Sequence, residues 1–187
     1  FWGNLILGLK QAICTSKYSQ DPLREALTSV FGSRTISESH NLLCIPAYNL
    51  TDASPRIFKR DYGSLNQDNN KTYVDVALAT SAAPTYFPIK EINKFDYVDG
   101  GLFANNPVLV GLTEYLFKWA KDGEFDGVDI LSISSCEKCQ GWSPTKRKLS
   151  FYKWKDNIFD CYSNGQSLTE TFFLRQLINS GTLNFDL

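Results

Sequence analysis

The chain has 187 residues, of which 43% are hydrophobic and 14% aromatic, so it is long and apolar enough to form a domain with a core. Its 19 Lys and Arg residues against 20 Asp and Glu residues give a net charge of -1, which argues against nucleic-acid binding because no excess of positive charge is present. Its 5 cysteines form an odd set without a closely spaced framework, which argues against a disulfide-stapled secreted scaffold and favours a reducing, cytoplasmic compartment.

Neither a membrane span nor a secretion signal is visible in the sequence. No apolar run reaches the length that a span needs, and the first residues lack the basic, apolar and small segments of a signal peptide. We therefore expect a cytoplasmic protein, or one that contacts a membrane peripherally. The chain also contains no methionine, which predicts that it is a fragment of a longer protein.

Helices and strands alternate along the first half of the chain. Apolar residues at helical spacing predict an opening helix over residues 2–13, and Asp21-Pro22 predicts the start of a second helix that ends at Gly32. The further predicted elements are strands at Leu42–Tyr48 and Arg56–Arg60, a polar loop at 63–71, a short helix at Val74–Thr80 and a strand end at Tyr97-Val98.

The alternation continues in the second half. Asn105-Asn106-Pro107 suits a helix start, and this helix should run to about Ala120 and be mostly buried, because its apolar positions lie nearly all round it. The later predicted elements are a buried strand of the parallel type at Val128–Ser134, a polar loop at 136–150 and a helix at Gln166–Asn179 that ends at Gly181. The pattern predicts an α/β fold and, without a visible linker, one domain unit over residues 1–187.

Three motifs follow one another in the centre of the chain. They are Ala79–Pro88 (ATSAAPTYFP), Tyr97–Gly101 (YVDGG) and Ala104–Pro107 (ANNP). Asp-Gly-Gly alone is a common turn sequence, but the three motifs together resemble the patatin-like phospholipase family. The resemblance extends over most of the chain and identifies residues 1–187 as the C-terminal portion of a single patatin-like domain. It implies a patatin-like αβα sandwich with a mostly parallel central sheet.

The resemblance also implies hydrolysis of acyl esters of phospholipids or other lipids by a Ser-Asp dyad. In the family the aspartate of the D-G-[GA] motif is the base of the dyad, and that position is Asp99 here. A serine hydroxyl needs a base within hydrogen-bond reach, and Gly100 and Gly101 permit a tight turn beside it. Asn105, Asn106 and Pro107 either cap the following helix or support the site. The expected substrate is a lipid, and neither a cofactor nor a metal is expected.

Two parts of the family's catalytic machinery, the glycine-rich oxyanion loop and the G-x-S-x-G nucleophile elbow, are absent from the sequence. The nearest match, Gly141–Thr145, ends in threonine and has proline after its serine, within a predicted loop. We expect both parts in an N-terminal segment absent from residues 1–187, and we expect that segment or a partner chain to complete the sheet. The alternative is a catalytically inactive patatin-fold protein with a regulatory or scaffold role.

A C-x-x-C motif at Cys136 and Cys139 provides a second alternative. Such a pair forms half of many zinc sites and also occurs as a redox pair, with Cys161 here as a distant third candidate. Because no second pair of cysteines or histidines accompanies it, we interpret these residues as loop cysteines. We interpret the one histidine, His40, as a surface residue, and Lys146-Arg147-Lys148 as a solvated turn rather than a contact with an anionic membrane.

Overall fold

The computed structural model describes residues 16–120, 128–133, 147–148 and 150–180. Contacts between Cα atoms divide the chain into two compact units, Phe1–Phe103 and Ala104–Leu187. The helix predicted over residues 2–13 and most of the loop predicted over residues 136–150 lie outside the described residues. The assignment of residues 1–187 to a single patatin-like domain stays a prediction.

The first unit contains a four-stranded sheet in which every neighbouring pair is antiparallel. Its strands are β1 (Cys44–Asn49), β2 (Ser54–Lys59), β3 (Lys90–Ile92) and β4 (Phe95–Asp99), in the order β2-β1-β4-β3. The two predicted strands and the predicted strand end before Asp99 are confirmed, with ends that differ by at most two residues.

The antiparallel pairing differs from the mostly parallel sheet that the family resemblance implied. Only Asn93 and Lys94 join β3 to β4, and their φ angles of 51° and 69° suit a two-residue hairpin turn. Residues 50–53 join β1 to β2. Parallel neighbours need a crossover of about a dozen residues or more. These short connections therefore enforce antiparallel pairing of β1 with β2 and of β3 with β4. A parallel portion of the sheet is not confirmed among the described residues.

The core of the first unit is formed by side chains from the sheet and from helix α2 (Tyr73–Thr80), which confirms the predicted short helix. Thr72 caps this helix, because its hydroxyl oxygen accepts the Asp75 N–H at 3.0 Å. The rings of Phe58 and Tyr97 meet edge to face, with centroids 5.1 Å apart. The buried hydrophobic cluster consists of Ile36, Ala47, Phe58, Val76, Ala79, Ile92 and Tyr97.

Helix α1 (Asp21–Phe31) has the ends that the sequence predicted. Pro22 lies in its first turn, and Gly32, with a φ of 60°, closes it by donating its N–H to the Thr28 carbonyl at 2.8 Å. A short 3-10 helix, Ile36–Glu38, follows. No side chain of α1 is fully buried, and Val30 is 64% exposed. The apolar face of α1 is therefore only partly covered by the described residues.

Helices form most of the described second unit. They are α4 (Val108–Glu114), which continues as a π-helical turn (Tyr115–Trp119), and α5 (Phe151–Asn179). A shorter helix, α3 (Gly101–Ala104), begins in the first unit and ends at the first residue of the second. The helix predicted to reach about Ala120 is confirmed in extent. Its predicted burial is wrong: between 108 and 119 only Leu112 is buried among the described residues, and Phe117 is 70% exposed. Apolar residues on all sides make a helix suitable for burial, but the helix is buried only where neighbouring elements pack against those sides.

Helix α5 has 29 residues and extends the helix that the sequence predicted. It begins at Phe151 rather than Gln166 and ends at Asn179, as predicted. No helix in the described part of the chain, α5 included, has both the length and the apolar content that a membrane crossing requires.

Residues 128–133 do not form the strand that their apolar character predicted. Leu131 and Ile133 are each 85% exposed. A strand is stabilised by main-chain hydrogen bonds to a neighbouring strand, and no described residue of the second unit lies in a strand. The apolar run therefore identified residues suited to burial, whereas a strand also requires a partner.

Candidate active site

Asp99 is the last residue of β4 and lies half-buried where the strand ends. Ala47 of β1 is its partner in the sheet. The main-chain N–H of Asp99 donates to the Ala82 carbonyl at 3.0 Å, in the segment that follows α2. The backbone of Asp99 is therefore held from two directions, by a neighbouring strand and by the loop after α2.

The carboxylate of Asp99 accepts a hydrogen bond from the main chain two residues later. The Gly101 N–H donates to Oδ1 of Asp99 at 2.7 Å. Because Gly101 begins α3, its N–H belongs to the helix-terminal donors that have no acceptor within their own helix. This bond orients one carboxylate oxygen without help from another side chain.

Burial raises the pKa of Asp99 above its ordinary value of 3.8, and the hydrogen bond from Gly101 lowers it by a smaller amount. The carboxylate is therefore a stronger proton acceptor than an exposed aspartate. A raised pKa at a half-buried strand end is the direction of change that a general base uses.

Gly100 lies against the main chain of β1. A Cβ atom at this position would lie 2.2 Å from the carbonyl oxygen of Pro46 and 2.4 Å from its carbonyl carbon, far inside contact distance. Neither Gly100 nor Gly101 has a positive φ. Gly100 forms a turn between β4 and α3, as the sequence predicted, but this turn does not use a positive φ. Gly100 is required because β1 approaches too closely for any side chain.

Thr80, the last residue of α2, contacts both Pro46 and Gly100. Its hydroxyl donates to the Pro46 carbonyl at 2.6 Å, and its own carbonyl accepts the Gly100 N–H at 3.4 Å. The sequence placed Thr80 inside the Ala79–Pro88 motif but indicated no individual role for it. The contact with Pro46 joins positions 34 residues apart, and only the motif itself signalled that this segment matters.

Asn105 belongs to the second unit and links the chain before α4 to α5. Its side-chain amide donates to the Ser163 carbonyl at 3.3 Å and to the Ser167 hydroxyl at 3.0 Å. Its main-chain N–H donates to Oε1 of Gln166 at 3.2 Å. The polar side of α5 therefore holds Asn105 through three hydrogen bonds.

Asn106 and Pro107 form the start of α4, as the sequence predicted. Oδ1 of Asn106 accepts the Val108 N–H at 3.2 Å, and its amide donates to the Thr171 hydroxyl at 3.3 Å. Pro107 occupies the N-cap position rather than the first turn. Asp99, Gly100 and Gly101 are brought together in the first unit, whereas a role of Asn105–Pro107 in supporting Asp99 stays a prediction.

The C-x-x-C alternative concerns Cys136 and Cys139, which lie outside the described residues. Its third candidate, Cys161, is exposed on α5. Within the described ranges, no three His, Cys, Asp or Glu side chains are grouped so that they hold a metal ion. His40 is exposed, as predicted.

Comparison with known proteins adds independent findings. The family model described as "Patatin-like phospholipase" matches residues 7–112, which is more than half of the chain. A "cGAMP-activated phospholipase" of Escherichia coli (strain TW11681) is 32% identical over 187 residues, covering 92% of this chain and 52% of the relative. A protein of the same name from Pseudomonas aeruginosa (strain BWHPSA011 / Pa011) is 32% identical over 177 residues, with the same two coverages of 92% and 52%.

A plant protein is similar over nearly as large a share of the chain. "Patatin-like protein 3" of Arabidopsis thaliana is 29% identical over 188 residues, covering 87% of this chain and 43% of that protein. The chain spans about half the length of the curated relatives that it matches. The match of the family model to most of the first unit, including Asp99 and its two glycines, gives the identification. The chain belongs to the patatin-like phospholipase family.

Proposed function

We propose that the protein containing this chain hydrolyses carboxylic esters of phospholipids or other acyl lipids, with Asp99 as the base of a Ser-Asp dyad. One observation carries the proposal: Asp99 lies half-buried at the end of β4, with Oδ1 held by the Gly101 N–H at 2.7 Å. Burial raises its pKa. These are properties of a carboxylate that accepts a proton in a partly dry site. Membership of the family supports the ester as the substrate class.

The proposed reaction consists of two acyl transfers. Asp99 first accepts the proton of a serine hydroxyl while the serine oxygen attacks the ester carbonyl carbon. The tetrahedral intermediate breaks its bond to the alcohol oxygen, and the departing alcohol takes the proton from Asp99. Water then attacks the acyl-serine and gives a proton to Asp99. Breakdown of this second intermediate releases the fatty acid, and the serine oxygen recovers the proton.

In this proposal the serine and the oxyanion-binding N–H groups come from outside residues 1–187. The chain contains no G-x-S-x-G sequence, and Gly141–Thr145 has proline after its serine. The chain covers 52% of the length of two bacterial relatives, and we expect both parts in the remainder of the parent protein. The same segment, or a partner chain, is expected to extend the sheet.

We extend to this protein the activation that the names of two relatives state. Both bacterial relatives are called cGAMP-activated phospholipases, and each matches 92% of this chain. An enzyme whose active state is rare until an activator binds shows low turnover on its own. Activity is therefore measured with and without cGAMP.

The test is fatty-acid release from phosphatidylcholine vesicles by the intact parent protein. Asp99→Asn preserves the side-chain shape and still accepts the Gly101 N–H, but it cannot take the serine proton. Loss of general-base assistance is expected to lower kcat by about 10²–10⁴. Asp96→Asn is the matched control, since it makes the same change at an exposed position of β4. Activity that survives Asp99→Asn, or that falls equally in both variants, would contradict the dyad.

The alternative is a catalytically inactive member of the family with a regulatory or scaffold role. Residues 1–187 contain no nucleophile elbow, so the remainder of the parent protein decides between the two. A parent protein that has no elbow serine, or that has one but releases no fatty acid with or without cGAMP, supports this alternative. Turnover that depends on Asp99 eliminates it.

A further inference from the structure

Thr80 ends α2 at the place where the hydrogen-bond ladder between β1 and β4 stops. The last pair in that ladder is Ala47 with Asp99, so Pro46 and Gly100 follow just beyond it. Thr80 bonds to both of them: its hydroxyl donates to the Pro46 carbonyl at 2.6 Å, and its carbonyl accepts the Gly100 N–H at 3.4 Å. Thr80 thus provides hydrogen-bond partners for Pro46 and Gly100 at the point where β1 and β4 no longer pair with each other.

The Pro46 carbonyl that Thr80 binds is also the group that lies against Gly100. A Cβ at Gly100 would lie 2.2 Å from this oxygen, so the two main chains are in direct contact. Close-packed groups transmit displacements to one another, and Gly100 lies between Asp99 and the Gly101 N–H that binds Oδ1 at 2.7 Å. A shift of Pro46 would therefore change the direction of the Asp99 carboxylate.

The surroundings of Thr80 are firmly packed. Ala79 directly precedes it and Ala82 lies two residues after it, and both are 0% exposed. The Ala82 carbonyl also accepts the Asp99 N–H at 3.0 Å. We propose that Thr80 is a positioning residue for Asp99, whose hydroxyl holds Pro46 against Gly100 and so keeps the carboxylate in its productive orientation. This inference rests on the proposed role of Asp99 as general base.

Two substitutions at Thr80 separate the hydroxyl from the shape of the side chain. Thr80→Val keeps the branched shape of the side chain and removes its hydrogen-bond donor. Misplacement of a catalytic group by about 1 Å lowers the rate by up to about 10²-fold. We therefore expect kcat to fall by about 10–100-fold, with little change in KM. Thr80→Ser restores the donor and is expected to keep kcat within about threefold of the original. The assay is the fatty-acid release described for Asp99, with thermal unfolding measured on every variant.

Ser81→Ala is the matched control, because it removes a hydroxyl from the next residue. The Ser81 hydroxyl donates to the Ala77 carbonyl at 2.7 Å within α2. A hydroxyl that only stabilises the end of α2 would give similar losses of kcat in Thr80→Val and Ser81→Ala. We expect Ser81→Ala to change kcat by less than about twofold, since its hydroxyl bonds to the Ala77 carbonyl rather than to Pro46.

Asp99→Asn in the same assay distinguishes failure of this inference from failure of the proposed function. If Asp99→Asn retains activity, the proposed function is wrong, and the proposed role of Thr80, which depends on it, is wrong as well. If Asp99→Asn is inactive while folded Thr80→Val keeps its kcat, only the inference about Thr80 is overturned. Should Thr80→Val not fold, Thr80→Ala replaces it. If neither folds while Ser81→Ala does, Thr80 is a structural residue and the inference is overturned.

Discussion

Gly100 and Pro46 approach each other so closely that a methyl group on Gly100 would lie 2.2 Å from the Pro46 carbonyl oxygen. Main-chain atoms cannot move aside as the end of a flexible side chain does. Gly100→Ala should therefore push β1 away from the Asp99 turn and lower the free energy of unfolding by about 1–3 kcal/mol. Most of the ester hydrolysis should be lost as well. Urea unfolding and the vesicle assay measure the two effects.

Gly111→Ala provides the control for this substitution. Gly111 lies inside α4, a Cβ there meets no atom within 4 Å, and its φ is not positive. Alanine at an exposed helical glycine is expected to raise the free energy of unfolding by about 0.5–1 kcal/mol. If both alanine variants changed stability in the same direction, the contact with Pro46 would not be the reason for glycine at position 100.

The pH dependence of the proposed reaction should report the environment of Asp99. The base acts only when ionised, and burial raises its pKa above the ordinary 3.8. The acidic limb of kcat/KM is therefore expected at a higher pH than an exposed aspartate would give, with activity falling as the pH drops through the raised pKa. Rates on a water-soluble chromogenic ester over a pH series measure this. A rate that stays constant down to pH 3.8 would rule out Asp99 as the base.

Asp99→Asn should not destabilise the protein at neutral pH. Because the folded-state pKa of Asp99 is raised above 3.8, folding disfavours the ionised carboxylate. This cost is present in full above the raised pKa and disappears as the pH falls below 3.8, where the carboxyl group is protonated in both the folded and the unfolded state. The variant is therefore expected to be at least as stable as the original at pH 7, with the difference vanishing in acid. Urea unfolding midpoints of the variant and the original protein, measured at pH 7 and in acid, test this. A large loss of stability in the variant at pH 7 would contradict it.

The ion pair between Asp75 and Lys90 should affect stability with the opposite sign: ionised Asp75 stabilises the fold, whereas ionised Asp99 destabilises it. Burial pushes the pKa of Asp75 upward, but hydrogen bonds from Lys90 and Thr72 and the charge of Lys90 outweigh this and hold the pKa below 3.8. Nζ of Lys90 lies 2.7 Å from Oδ1, and the Asp75 side chain is 35% exposed, so solvent weakens the pair. Lys90→Met is expected to lower the free energy of unfolding at pH 7 by only about 0.5 kcal/mol.

The sign of this effect follows from the lowered pKa of Asp75. Its stabilisation is present above the unfolded value near 3.8 and is lost as the pH falls through the lower folded value. The difference between Lys90→Met and the original protein should therefore vanish in strong acid. Glu91→Gln, at an exposed position of β3, is the control and should stay within about 0.5 kcal/mol of the original protein at every pH. A Lys90→Met difference that persisted in strong acid would point to lost packing instead of a lost charge pair.

Much of the local structure was predictable because the residues that begin and end a helix or strand act on backbone only a few positions away. Asp21-Pro22 and Gly32 gave the ends of α1, since proline suits a first helical turn and glycine adopts the positive φ that closes a helix. The motif around Asp99 predicted a strand that ends at this residue, and β4 does end there.

The sequence by itself determined the family, most element positions in the first unit and the candidate base, Asp99. Only the tertiary structure decided that the Pro46 carbonyl leaves no room for a side chain at Gly100, and that Thr80 binds the same carbonyl. It also decided that residues 128–133 form no strand among the described residues. Hydrophobic patterns record which residues are suited to burial, but they carry no information about which distant backbone lies alongside. That neighbour is chosen when α2, β1 and β4 pack together, and the site around Asp99 is made from their contacts.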